Sequence, residues 1–108
     1  AFLDTLRCLE GAEELGRLVR SRPNVRAVLS GHTHRQTAVA WNGAHGYVAP
    51  SVAYQIALDL APEPPYRWTD EPSALALHRF GPDGTVVTHL SVIGDYPGRE
   101  FSRKARNS

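Results

Sequence analysis

Val25-Arg26-Ala27-Val28-Leu29-Ser30-Gly31-His32-Thr33-His34-Arg35 is the stretch on which the reading of this chain turns. Residues 25–29 form a short, β-branched apolar run that stops at Ser30-Gly31, which predicts a strand feeding a loop at its carboxyl end. Two histidines then stand one residue apart. In extended backbone such residues project to the same side, so both imidazoles can converge on one metal region. Gly31 has no Cβ, which predicts a sharp turn and a close approach to a bound ion. Imidazole suits zinc, iron, manganese or nickel, so the pair alone does not choose the metal. The competing reading is a pair of half-exposed histidines on a loop or strand edge.

Upstream of this stretch, residues 10–21 carry Ala12, Leu15, Leu18 and Val19 at the spacing of one apolar helical face. Glu13 and Glu14 lie in the first turn, with Arg17, Arg20 and Arg22 toward the end, as the helix dipole favours. Pro23 stops the helix. Downstream, residues 37–41 and 44–49 flank Asn42-Gly43, a strong hairpin signal because both residues tolerate positive φ. Residues 51–60 are ambiguous, and the proline-rich 61–72 reads as a stiff surface loop. A second hairpin joins 73–80 to 85–93 through Gly81-Pro82-Asp83-Gly84. Its last strand is apolar on both faces, which predicts cover on both sides. The sum is one helix and about five mostly hairpin-linked strands, an α/β chain of layered α+β character.

Two histidines do not complete a catalytic metal site, which uses three or more protein ligands. His45, His78 and His89 fall on expected strands and read as packing or surface residues. Asp59, Asp70, Asp83 and Asp95 are scattered, and Asp83 is explained by its turn. Cys8 has no linked histidine and reads as a small buried thiol.

The length of 108 residues fits one domain, and no apolar run approaches the roughly 20 residues of a membrane span. Twelve basic against eleven acidic residues give a net charge of +1, which argues against nucleic acid as a partner of the whole domain. Residues 96–108 are expected to be a basic, disordered tail beyond a domain of residues 1–95. A lone cysteine and the lack of a signal-peptide pattern predict a reducing, cytoplasmic setting.

Gly31-His32-Thr33-His34-Arg35 resembles the last metal-binding motif, Gly-His-x-His, of calcineurin-like metallophosphoesterases, most of all their bacterial class III cyclic-nucleotide phosphodiesterase branch. The resemblance extends over nearly the whole chain. It takes in residues 4–9, the helix, Ala49-Pro50-Ser51, Tyr54-Gln55-Ile56-Ala57-Leu58-Asp59-Leu60, Glu71-Pro72, Leu77-His78-Arg79, Thr88-His89 and Asp95-Tyr96-Pro97-Gly98. It implies a β-sandwich flanked by helices, to which this chain supplies the C-terminal portion. It also implies two metal ions (Mn, Fe or Zn), with His32 on one and His34 on the other. Paired ions of that kind polarise phosphoryl oxygens and lower the pKa of a bridging water, so a phosphodiester is cleaved by in-line attack. Arg35 either contacts the phosphate or holds a structural salt bridge.

The family's other ligand motifs, Asp-x-His, Gly-Asp-x-x-Asp and Gly-Asn-His, are absent, so the chain by itself is expected to be inactive. The implied partner is a small-molecule phosphodiester, cyclic nucleotide or related, and no membrane. The alternative is a non-catalytic interaction or oligomerisation module, in which exposed sheet edges favour a homo-oligomer.

Overall fold

The computed structural model describes residues 10–63 and 65–102. The expectations placed on Cys8, and on the tail beyond Ser102, lie outside them. Within these residues the fold is α+β, with one helix and seven short strands in three small sheets. Two of the seven strands have only two residues each and fall in the stretches read as ambiguous or as loop.

Helix α1 (Ala12–Arg20) starts after Gly11, whose φ of 82° is left-handed, and ends where Ser21 donates its backbone N–H to Arg17 O and its hydroxyl to Leu18 O. The buried positions are Gly16 and Val19, whereas Leu15 and Leu18, expected on the buried face, are exposed. Gly16 explains the shift. A Cβ there would stand 2.6 Å from Asn42 Nδ2, so the missing side chain lets the helix approach the first hairpin turn. Arg20 completes the contact by donating to Asn42 Oδ1.

The main sheet holds β1 (Ala27–Ser30), β2 (Thr37–Trp41) and β3 (Ala44–Val48) in the order β1-β3-β2. Asn42 (φ 50°) and Gly43 (φ 83°) form the tight turn between β2 and β3 that their residue types predict. β3 is central, antiparallel to β2 and parallel to β1, with Ser30 opposite Val48. The chain leaving β1 must therefore cross the end of β3 to reach β2, two strand spacings or roughly 9–10 Å away. The histidine-bearing loop makes that crossing.

β4 (Gln55–Ile56) pairs antiparallel with β5 (Trp68–Thr69), so part of the expected surface loop is a strand. β6 (Ala74–Phe80) and β7 (Val86–Val92) form the second hairpin. Its turn is closed by Gly81 N–H to Thr85 O, and Asp83 Oδ1 accepts from the backbone and hydroxyl of Thr85. Those bonds hold the Asp83 carboxyl below its ordinary pKa.

The expectation that β7 is covered on both sides is not met. Val87 and Ile93 on one face and Leu90 and Val92 on the other are all exposed. Contact with the main sheet is confined to a few residues, among them His78 edge-on to Tyr47 at 5.0 Å and Arg26 over the Phe80 ring and bonded to Gly81 O. Among the described residues the buried hydrophobic side chains are Val19, Ala44, Tyr47, Val48 and Ala74, while eighteen large hydrophobics stay exposed.

Candidate functional site

Because β1 and β3 are parallel, both release their chains at the same edge of the sheet. Ala49 donates to Ser30 O at 2.8 Å, which holds the two exits together. The loop after β1 carries His32 and His34, and the segment after β3 carries Tyr54. Loops at the carboxyl ends of neighbouring parallel strands meet in this way in open α/β sheets, where ligands commonly bind.

The loop is bent. His32 has φ 83° and His34 φ 54°, both left-handed, so the extended-backbone argument for converging imidazoles does not describe this loop. Gly31 departs from its expected role as well. Its φ is not left-handed, and a Cβ added there would meet nothing within 4 Å. The strained positions are the histidines themselves. Histidine is enriched among non-glycine residues that adopt left-handed backbone, and such strain gathers at functional sites.

His34 is fixed from two directions. Its carbonyl accepts the Ile56 N–H at 2.8 Å, and its Nδ1 lies 3.0 Å from Tyr54 O. A carbonyl can only accept, so Nδ1 donates; in a neutral ring the lone pair then sits on Nε2. A backbone carbonyl holding one ring nitrogen while the other faces outward is the usual support of a metal-binding histidine. The Tyr54 ring packs on the imidazole at 4.7 Å, and Trp68 meets Tyr54 edge-on at 5.8 Å. His32 is exposed.

Arg35 ties this loop to the following layer. Its Nε donates to Ile56 O at 2.7 Å and its Nη2 bonds Glu71 Oε2 in a half-exposed ion pair. Of the two readings of Arg35, these contacts express the structural salt bridge.

Gln55, which sequence reasoning passed over, is the keystone beside it. Only 4% exposed, its amide accepts from Ser51 N–H at 2.9 Å and donates to Ser51 O at 2.7 Å and Pro72 O at 3.2 Å. A lone glutamine within Tyr54-Gln55-Ile56-Ala57-Leu58 was the available signal, since a buried amide among apolar neighbours must find partners.

The other sequence candidates fall outside the loop. His45 stacks on Tyr47, His78 bonds the Thr88 hydroxyl at 2.8 Å, and His89 is exposed. Asp59 accepts the Ala61 N–H, a local turn bond.

The donor chemistry of His32 and His34 suits a metal ion; their number does not complete a site. Among the described residues no group of three or more His, Cys, Asp or Glu is placed to hold one. Also among those residues, no helix is long and apolar enough to cross a membrane.

No protein-family model matches the chain. Over 88 residues, 82% of its length, the chain is 33% identical to a probable glycerophosphodiester phosphodiesterase, GpdQ, of Arcobacter nitrofigilis. The match covers 32% of that relative, so the chain spans about one third of its length.

Proposed function

We propose that the chain supplies the terminal ligand loop of a metal-dependent phosphodiester hydrolase. His32 and His34 serve there as ligands in a two-metal centre completed by residues beyond those described. The observation that carries this reading is the Tyr54 carbonyl on His34 Nδ1, which leaves Nε2 free to bind a cation. The left-handed backbone at both histidines and the similarity to a phosphodiesterase support it. When bound, divalent ions such as Mn, Fe or Zn supply Lewis acidity and an activated water. The chain's own part is to hold the two imidazoles, with Arg35 and Glu71 bracing the loop that carries them. The substrate in this reading is a small phosphodiester, cyclic nucleotide or related, met in the cytoplasm.

The test is calorimetric titration of the chain with Mn²⁺ and Zn²⁺. Weak binding that is lost in both His32→Ala and His34→Ala is expected, without hydrolysis. Binding that survives both substitutions removes the ligand assignment.

One observation favours a second reading, a non-catalytic association module. Leu75, Leu77, Val87 and Ile93 lie exposed on one face of the β6–β7 ribbon, interspersed with Arg79, His89 and Ser91. Sedimentation that stays monomeric at high concentration would dismiss it.

A further inference from the structure

The segment that packs on the histidine loop is aromatic on its outer side. His34, Tyr54 and Trp68 form a row of three rings with Tyr54 in the middle, spaced 4.7 and 5.8 Å. Tyr54 is 47% exposed and Trp68 is 75% exposed, so both rings offer surface to solvent. The backbone beneath them is held. Ile56 pairs with Trp68 across β4 and β5, Ala57 donates to Arg67 O at 2.6 Å, and Ile56 donates to His34 O. Arg35 links the loop to Glu71, just beyond β5. These bonds fix the backbone beneath both rings, so presenting their exposed surface to a ligand requires little ordering.

We propose that Tyr54 and Trp68 form a stacking subsite beside the ligand loop, which receives a planar aromatic ring carried by the phosphodiester. A ring-bearing substrate would then be selected over one whose alcohols are aliphatic, such as glycerol. Rings stack on exposed aromatic faces with little regard to their detailed hydrogen-bonding pattern, so a nucleobase and an aryl ester share the required chemistry. The inference rests on the proposed function for the position of the phosphate, and on the ring geometry alone for the selectivity.

The experiment uses the full chain and follows its two indole N–H resonances by NMR. The Trp68 signal is identified by its loss in Trp68→Phe. Adenosine monophosphate, p-nitrophenyl phosphate and glycerol 3-phosphate are titrated separately in the absence of added metal. The expected result is a saturable shift of Trp68 but not Trp41 with the first two, none with the third, and affinity weakened about tenfold in Tyr54→Ala. A shift with adenosine monophosphate alone identifies a nucleobase site. A shift with the aryl ester as well identifies a general aromatic one. No Trp68 response to either ring, an equal response to glycerol 3-phosphate, or a Trp68 shift that follows protein concentration without ligand overturns the subsite.

Line broadening of the His32 and His34 ring protons by Mn²⁺ is read on the same sample. Broadening without ring binding sinks the subsite and spares the metal ligands, and the converse sinks the ligands and spares the subsite.

Discussion

Replacing His32 separates backbone strain from ligand chemistry. At φ 83° an L-residue pays roughly 1–2 kcal/mol for the contact of its Cβ with the backbone, toward the low end for histidine. Glycine escapes that cost but loses about 0.5–1 kcal/mol through the greater freedom of the unfolded chain. The imidazole is exposed and makes no hydrogen bond among the described residues, so its removal forfeits little packing. His32→Gly is therefore expected to exceed His32→Ala in stability by about 0.7 kcal/mol, or about 3–6 °C in Tm for a chain of this size. Both variants should lose Mn²⁺ binding alike. Urea unfolding and calorimetry on the two variants measure both quantities. A glycine variant no more stable than the alanine variant would refute the strain argument. Equal loss of metal binding in both would leave the ligand role standing even then.

Gly31→Ala should hold or raise stability by about 0.5 kcal/mol in the same assay, because its backbone is ordinary and its Cβ enters open space; a loss above about 1 kcal/mol would contradict this. Gln55→Ala strips the Ser51 N–H of its partner and leaves a small void, which should cost about 2 kcal/mol in urea unfolding. Arg35→Lys cannot reproduce the fork to Ile56 O and Glu71, so thermal stability should fall by about 1 kcal/mol and metal affinity with it. The Tyr47 hydroxyl is buried without a hydrogen-bond partner among the described residues, and burial raises the pKa of its phenol. Its protonated form thus contributes stability that is present below about pH 10 and lost as pH rises further. Tyr47→Phe should gain about 1 kcal/mol at pH 7 and lose that alkaline dependence, as urea unfolding at pH 7 and 10.5 would report.

The locally encoded features were legible. Asn42-Gly43 and Gly81-Pro82-Asp83-Gly84 mark both hairpin turns because positive φ and side-chain turn bonds are written in residue type. The helix was placed to within two residues, but its buried face was not. Leu15 and Leu18 carry the hydrophobic signal, whereas Gly16 decides the docking by its absence of bulk, which no hydropathy pattern registers. The parallel pairing of β1 with β3 depends on register between distant segments. For that reason the meeting of His34 with Tyr54 was hidden too. The histidines themselves stood out by spacing, but the geometry inferred for them was wrong: extended backbone was assumed where crossing the end of β3 imposes a bend. β4 falls in the stretch left ambiguous and β5 in the expected loop, because two residues carry no periodicity.

The bond from Ala57 N–H to Arg67 O closes a neck just outside β4 and β5. Everything that leaves at Ala57 and returns at Arg67 is an excursion whose ends are already tied. Doubling the length of such a loop costs only about 0.6 kcal/mol of closure entropy. Extra residues grafted between these two positions would be carried outside the neck, and the histidine loop would not sense them. That makes the excursion the natural place to install an affinity peptide or an immobilisation tag while leaving the ligand loop unaltered.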